Sequence, residues 1–511
     1  MKKSGNKNIL IKTLQLIIAA FVAKGFGFVR EMVLANYYGA SATSDVYVAV
    51  QNIPAVIFSV FGTAVVTGFI PLYSEINVRN GKDKADRFAN NVFNIFLLLA
   101  IILTVAGIVF SKELVYVFAG GFSEKTFDLC NTFAKITMPT SIAIILVYVY
   151  NAYLQLEGHF NQNSLMNVPY NVIQILFIVG AFYIKNVYCL AIGILLASFS
   201  QFLYLRILVA RKTKFRHTPI LDLRDPHIIK MLILVGPVFI STGVNQLNTI
   251  IDRTLASRLV EGSVSALNYA SEVTNIIVQV IILSLTTILY PKMTRLFAEN
   301  NRTAQGEFSE KYINVVSVLV LPLSGLLFVF SDEVIQILFG RGAFNGDTVR
   351  FVSAALKAYA VGIAGVSFRD VLNKFFYAMK DTVTPMINGI IAVVCNISLN
   401  FLLIGKYEYI GLAVATSVAS TVTTISMFIK LFKKMPQIRV KWIIKEFAAA
   451  LAGTLTMCVA GSLFLAKVSI QNVLLRSMTG GCLCVLVYGT VLFIVKETMI
   501  HNLVMKFVKP E

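Results

Sequence analysis

Long apolar runs recur from one end of the chain to the other, separated by short polar segments. Each run has about 20 residues, enough for a helix to cross the ~30 Å hydrocarbon core of a bilayer. Membrane-barrel strands would instead alternate polar and apolar residues over ~10 positions, and the sequence lacks that pattern. The runs predict an all-α polytopic membrane protein with about 14 transmembrane helices, centred near residues 20, 60, 99, 143, 172, 198, 240, 280, 320, 363, 393, 420, 454 and 484.

The second part of the chain repeats landmarks of the first in the same order. The repeated pairs are FIPLYSEI (69–76) with LYPKMTRL (289–296), SKELVYVFAGGF (111–122) with SDEVIQILFGRGAF (331–344), and NAYLQLEG (151–158) with KFFYAMKD (374–381). Chance similarity between apolar segments is the alternative explanation. The repeat predicts two pseudo-symmetric six-helix lobes, an N-lobe over 1–215 (spans 1–6) and a C-lobe over 216–435 (spans 7–12), related by an axis near the membrane normal.

Two further spans, in 436–511, have no counterpart in the repeat. They carry almost no charge in their interiors. One interpretation is that they are accessory packing helices. The other is that they form a lipid-facing appendage that extends an apolar groove.

Composition agrees with the membrane assignment, since 57% of the 511 residues are hydrophobic and only 14% are charged. Lys and Arg cluster at the N-terminus and in 79–87, 211–224, 292–311 and 430–445, whereas 37–45 and 185–188 are nearly bare. By the positive-inside rule, both termini are predicted to be cytoplasmic. The net charge of +19 is spread over many short loops, which argues against nucleic acid as a partner and favours anionic membrane lipid.

The sequence contains no catalytic constellation, and we therefore expect a protein that is not an enzyme. It has no P-loop, so it does not hydrolyse ATP to power transport. Its six cysteines include no CxxC pair and its four histidines are far apart, so no metal site and no cofactor are expected.

Charged residues inside the first span are the strongest functional signal. Lys24, Arg30 and Glu31 lie in or beside AKGFGFVRE (23–31). A charge at the bilayer centre costs ~2.5–3.5 kcal/mol and persists mainly where it lines a cavity or is paired. Either Arg30 and Glu31 cap the span at the outer interface, or Lys24 and Arg30 contact a phosphate-bearing substrate from different depths, with Arg suited to bidentate binding.

Three other spans carry polar groups with two possible interpretations. Asp45 opens span 2, either as an N-cap or as the partner of a span 1 cation in an outer gate. Asp252 in span 7 either holds a coupling cation or proton or pairs with a neighbouring base. Asn396 and Asn400, at i and i+4 in span 11, either hydrogen-bond between helices or ligate Na⁺.

Span 10 contains Arg369, Asp370 and Lys374. Lys374 follows Asp370 by one helical turn, so the two are predicted to form an ion pair inside the bundle.

Several of these stretches resemble the MurJ/MviN lipid II flippases of the multidrug/oligosaccharidyl-lipid/polysaccharide exporter superfamily. KGFGFVREMVLANYYGASATSDVYVAVQNIP (24–54) resembles the first signature of that family. DRTLASRLVEGSVSALNYA (252–270), YPKMTRLF, FGRGAF (339–344) and the AMKDTVTP stretch (378–385) resemble its second half. The resemblance implies two six-helix lobes around a central cavity, with two extra helices forming a groove for a polyprenyl tail.

The implied activity is to move undecaprenyl-diphosphate-linked disaccharide-peptide from the inner to the outer leaflet of the bacterial plasma membrane. Cell-wall synthesis proteins are the partners it implies. The resemblance puts Lys24 and Arg30 where the family has essential span 1 arginines, and Glu31 and Asp45 at acidic positions. It puts Asp252, Asn396, Asn400 and Thr416 on a Na⁺ site of one branch, where Asn400 replaces an acid. Na⁺ or the membrane potential is then the expected energy source.

The chain departs from the family pattern at three positions. Phe58 and Ser59 stand where many members have an arginine pair in span 2, and Glu272 stands close to an arginine position of span 8. The predicted cavity is therefore less cationic than in those members. This leaves open a flippase for another polyprenyl-diphosphate-linked oligosaccharide, such as a capsule, O-antigen or exopolysaccharide unit.

Two further classes fit the sequence less well. A cation-coupled drug exporter of the same superfamily would not need the two extra spans. A scaffold for cell-wall enzymes would not explain charges inside spans.

Overall fold

The computed structural model describes residues 21–159, 165–213, 215–299 and 301–499. Throughout these residues the regular secondary structure is helical, without a strand, which confirms the all-α membrane fold. Among them, nine helices are long and apolar enough to span a bilayer, and the bent pair Glu124–Thr137 and Thr140–Leu156 (46°) makes a tenth. The count of fourteen stays a prediction.

Contacts divide the chain into two compact units, Met1–Ser265 and Ala266–Glu511. The predicted lobe boundary at 215/216 rests on the internal repeat and not on compactness, and it too stays a prediction. The first unit contains α1 (21–38), α2 (Ala42–Ala64), α3 (Ile70–Asn80), α4 (Lys82–Val109), α5 (Ser111–Ala119), α6 (Glu124–Thr137), α7 (Thr140–Leu156), α8 (Asn167–Ile184), α9 (Tyr188–Lys212) and α10 (Pro226–Ser257).

The second unit contains most of α11 (Ser263–Ala298), then α12 (Arg302–Val329), α13 (Ser331–Phe339), α14 (Gly346–Ala378), α15 (Val383–Lys434), α16 (Val440–Lys467) and α17 (Val473–Ile494). The 52-residue α15 would be about 78 Å long if it were straight, too long for one crossing. It breaks at Glu408, which has φ 48° and ψ −132°, so it consists of two consecutive helices, as the predicted spans near 393 and 420 require.

Local sequence explains several helix boundaries. Ser41 caps α2 through a capping box with Ser44, and Asp225 caps α10 just before Pro226. α3 ends at Gly81, whose φ of +87° is readily accessible only to glycine. A π-helical turn, Val65–Phe69, joins α2 to α3.

The last two helices pack on their own unit through α12. Phe330, Met457, Cys484 and Tyr488 share one buried cluster, and the Tyr488 hydroxyl donates to the Val318 carbonyl. Arg439, just before α16, forms a salt bridge with the buried Glu310 of α12. Large apolar side chains on the other faces of both helices are exposed, among them Leu455, Val459, Met478 and Leu486. The two spans therefore pack on the unit and also present apolar surface.

Candidate functional site: a buried polar cluster on the first span

Arg30 of α1 lies in a polar cluster and not at an open helix end. Its guanidinium forms a salt bridge with Glu31, and the two side chains are only 15% and 4% exposed. Nη1 of Arg30 also donates to Oε1 of Gln174 in α8, at 3.2 Å. The interpretation that Arg30 and Glu31 merely cap the span at the interface is therefore not supported by their burial.

Gln174 gathers donors from two helices onto a single oxygen. Besides Arg30, its Oε1 accepts hydrogen bonds from the hydroxyl of Tyr47 at 2.6 Å and from Nε2 of Gln51 at 2.7 Å. Tyr47 and Gln51 are one turn apart on α2, and Gln174 is 1% exposed. A carbonyl oxygen has two lone pairs, so three donors saturate it.

Two donors of this cluster are unused. Within the part of the chain that the structure describes, Nε of Arg30 and Nε2 of Gln174 are buried without a hydrogen-bond partner. A buried unsatisfied donor costs ~1–3 kcal/mol. The cluster thus retains unused capacity to bind an acceptor, such as a phosphate oxygen.

At Gly27, α1 lies against α8. A Cβ at Gly27 would lie 3.7 Å from Nδ2 of Asn171, which is one turn before Gln174 and is also buried. Lys24, on the same continuous helix, has an exposed side chain. Six residues separate it from Arg30, a net rotation of ~240°, so the two cations lie on different faces, as expected.

Asp45 makes a different contact from either predicted one. Its own helix is capped by Ser41. Asp45, 3% exposed, accepts hydrogen bonds of 2.7 Å from the backbone N–H groups of Gly262 and Ser265. These amides lie at the start of α11, so the carboxylate caps the N-terminus of another helix.

The contact is reciprocal. Oε1 of Glu261 accepts a 2.9 Å hydrogen bond from the backbone N–H of Ala42, the first residue of α2. Between the two caps, Gly262 has φ +92°, and a Cβ there would lie 2.7 Å from the carbonyl oxygen of Ala40. Each helix start is thus capped by an acid from the other segment, and only glycine fits between them.

The positions that depart from the family pattern differ in their surroundings. Phe58 is 1% exposed and lines an apolar cavity of about 200 Å³ with Ile57, Leu103 and Met138. Oγ of Ser59 donates to the Val56 carbonyl. Glu272 is half-buried in α11. Phe58 is thus part of an apolar core.

Three predicted ion ligands form one hydrogen-bonded row in the second unit. Nδ2 of Asn400 donates to Oδ1 of Asn396 at 3.0 Å, and Nδ2 of Asn396 donates to Oγ1 of Thr416 at 3.1 Å. Asn396 and Asn400 are buried. Helix–helix hydrogen bonding explains this row directly, and its oxygens are also of the type that Na⁺ prefers.

Asp252 belongs to the first unit. Its Oδ2 accepts a 3.1 Å hydrogen bond from Nδ2 of Asn248, one turn earlier on α10. The neighbouring Arg253 donates to the Val264 carbonyl at 3.3 Å.

The predicted pair in span 10 is wrong. Among the ion pairs of the described residues, Lys374 does not bridge to Asp370. Its ammonium lies 5.8 Å from the centroid of the Tyr290 ring instead.

Sequence reasoning missed Gln174, Tyr47 and Gln51, although a signal was present. Asn171 and Gln174 are three residues apart in an otherwise apolar span, and Tyr47 and Gln51 are four apart in another. Polar residues at these spacings share a helix face.

In fold, the chain is similar to an inward-facing multidrug resistance MATE family transporter of the MOP superfamily, with a TM-score of 0.68 at 15% identity over 86% of this chain and 98% of that one. The two proteins therefore share a fold. The chain is still more similar in fold to a solved structure of the lipid II flippase MurJ in an inward closed conformation. The TM-score is 0.81 at 24% identity, over 94% of this chain and 99% of that one.

The model of the family described as "Lipid II flippase MurJ" matches residues 34–479, and the chain belongs to this family. A relative from Rickettsia prowazekii, named a probable lipid II flippase MurJ, is 28% identical over 409 residues, covering 79% of this chain and 80% of its own length.

Proposed function

We propose that this chain is a lipid II flippase, which moves undecaprenyl-diphosphate-linked disaccharide-peptide from the inner to the outer leaflet by alternating access. One observation carries the proposal: the family match extends over 34–479, which includes most of both compact units. Transport without chemical conversion of the substrate also fits a sequence without catalytic motifs.

Arg30 and Lys24 are the groups that would hold the diphosphate. Arg30 carries a fixed positive charge in a largely buried site, where its interaction with an anion is stronger than in water. Its fork of N–H donors suits phosphate as well as it suits the carboxylate of Glu31. We therefore infer that the diphosphate displaces Glu31 from Arg30, while Lys24 contributes a second charge from another face.

The polyprenyl tail would stay in the lipid phase. The exposed apolar faces of α16 and α17 are suitable surfaces for it, because they carry Leu455, Val459, Met478 and Leu486. The buried faces of α16 and α17 pack on the unit through α12.

Asp45 would act at the outer side of the membrane, which is where the loop 37–45 lies if both termini are cytoplasmic. Its two hydrogen bonds to the start of α11, with the reciprocal bond from Ala42 to Glu261, would hold that side closed. Opening then requires all three bonds to break, so the headgroup must bind the open state more tightly.

Na⁺ or the membrane potential would bias the cycle. Asn396, Asn400 and Thr416 supply neutral oxygens in one row, and Asp252 would supply the carboxylate. The proposed location is the bacterial plasma membrane, with cell-wall synthesis proteins as further partners.

Complementation tests the proposal. The native lipid II flippase of a bacterium is depleted while this chain, or its Arg30→Ala variant, is expressed at matched levels, and growth and outer-leaflet lipid II are measured. The intact chain should restore both, and Arg30→Ala should not. Arg295→Ala is the control, because that arginine is 80% exposed and, among the described residues, its ion pair is with Glu299 one turn away.

A second candidate has a specific observation in its favour. Phe58 is buried in an apolar core where the resemblance implies a cation, which leaves fewer charges for a lipid II headgroup. If the chain fails to restore lipid II export but rescues a strain lacking its capsule or O-antigen unit flippase, the substrate is another polyprenyl-diphosphate-linked oligosaccharide.

A further inference from the structure

A cavity of about 530 Å³ lies within the second compact unit, where the ends of four helices meet. The last turn of α11, the first turn of α12 and the C-terminal ends of α14 and α15 form its walls. Four cationic side chains line it: Arg302, Lys380, Lys433 and Lys434. The cavity is within the usual ~300–1,000 Å³ range of small-molecule sites.

Within the described residues, ion pairs neutralise only part of this charge. Lys434 pairs with Asp381, and burial opposes ionisation of that carboxyl, but hydrogen bonds from Lys434 and Thr384 lower its pKa to about 2. In the described ranges, Arg302, Lys380 and Lys433 have no salt bridge. Three positive charges therefore remain around one cavity.

Helix dipoles explain only part of this arrangement. Lys380 and Lys433 lie at the C-terminal ends of α14 and α15, where a cation is favoured by the partial negative charge. Arg302 is the first residue of α12, and a cation at a helix N-terminus is unfavourable. Arg302 therefore adds positive charge where the backbone already supplies it.

Apolar groups complete the lining. Phe297, Met379, Met435 and Pro436 form part of the wall, and Met435 is 2% exposed. The four cations are themselves exposed, so this wall would shield a bound anion from water on one side only. This apolar wall distinguishes the cavity from a flat surface patch of lysines.

We propose that this cavity is a phosphate-binding site, distinct from the transport cluster around Arg30. Three cations and the α12 N-terminus select an anion, and Arg and Lys together suit phosphate oxygens. The phosphate is carried by the headgroup of an anionic phospholipid or by a soluble phosphate monoester. This proposal does not depend on the transported substrate.

The test uses the purified full-length protein and compares Arg302→Gln/Lys380→Gln/Lys433→Gln with a control triple, Lys112→Gln/Lys406→Gln/Lys467→Gln. The three control lysines are exposed and lie outside the cavity lining. Retention of phosphatidylglycerol against phosphatidylcholine is counted by native mass spectrometry. Thermal stabilisation by glycerol 1-phosphate is measured in parallel.

The unaltered protein and the control triple should bind the phosphate ligand at least tenfold more tightly than the cavity triple. Selective retention of phosphatidylglycerol identifies a lipid source, and stabilisation by glycerol 1-phosphate alone identifies a soluble one. The proposal is overturned if both triples bind the phosphate ligand with the same affinity. It is also overturned if the cavity triple is less stable than the unaltered protein by the same amount with and without phosphate, because cations that only offset helix dipoles would give that result. If the cavity triple does not fold, the same measurements are made on the single variant Arg302→Gln. Its loss of phosphate binding supports the proposal, because no helix dipole favours the charge of Arg302.

Discussion

Oδ2 of Asp45 accepts a 2.7 Å hydrogen bond from the backbone N–H of Gly262, 217 residues further along the chain. With the bond from the Ser265 amide, the carboxylate satisfies two N–H groups that the start of a helix cannot pair internally. The capping acid of α11 is thus supplied by α2. The pairing connects segments that are far apart in the sequence but lie in the same compact unit.

Removing this cap should loosen the start of α11. In Asp45→Ala, the two amides lose an anionic acceptor worth about 1–2 kcal/mol, so hydrogen exchange in 262–265 should accelerate roughly tenfold or more. Exchange is measured by mass spectrometry on protein in detergent. Asp347→Ala, in the first turn of α14, is the control and should leave this segment unchanged. Equal exchange in Asp45→Ala and the unaltered protein would contradict the assigned contact.

Two glycine variants separate backbone strain from steric exclusion. Gly81 and Gly262 have φ +87° and +92°, but a Cβ at Gly81 meets open space, whereas one at Gly262 would lie 2.7 Å from the Ala40 carbonyl oxygen. Gly81→Ala should therefore cost only the ~1–3 kcal/mol of its positive-φ backbone. Gly262→Ala should lower the thermal midpoint distinctly more. Equal midpoints would mean that Ala40 moves away freely.

The Asp45 contact illustrates the limit of sequence reasoning. That an acid opening span 2 has a structural or gating task follows from its position, but its partner lies in another repeat and is a backbone group, which no residue pattern reveals. The break near Glu408 was predictable, because a polar interruption separates two apolar runs. Gln174 was not identified, because the role of an uncharged amide in an apolar span depends on its hydrogen-bond donors. Those donors lie on α1 and α2, and the sequence does not show that they are close to it.

Substitution at Gln174 should reduce transport by mispositioning Arg30. Gln174→Leu removes the acceptor shared by Arg30, Tyr47 and Gln51 and leaves buried donors unsatisfied, at about 1–3 kcal/mol each. We expect lower stability and loss of complementation. Gln201→Leu removes an exposed hydrogen bond to Asn167 and is the control. Full complementation by Gln174→Leu would show that Arg30 is positioned without it.

A row of asparagines on α4 should hold the segment between α9 and α10. Asn91 both donates to and accepts from the backbone of Asp222, at 2.8 Å each, and Asn90 binds the backbone of Arg216 and Thr218. In Asn91→Ala, trypsin should cleave after Arg216 or Arg224 several times faster, because the segment leaves the helix more often. Asn80→Ala, at the exposed end of α3, should not change the rate. A cleavage rate unaffected by Asn91→Ala would mean that the hydrogen bonds of Asn90 are enough to hold the segment on α4.

Asp252→Asn tests the proposed ion site. A carboxylate supplies most of the charge that offsets a dehydrated cation, whereas an amide supplies only a dipole. If Asp252 acts with Asn396, Asn400 and Thr416, transport by the purified variant should lose its dependence on sodium while headgroup binding and thermal stability persist. If Asp252 only stabilises its own unit through Asn248, the variant should be less stable, and transport should be equally poor at every sodium concentration. Asn248→Ala distinguishes the two further, because it removes the observed hydrogen bond but leaves the charge, and so should preserve the sodium dependence that Asp252→Asn abolishes.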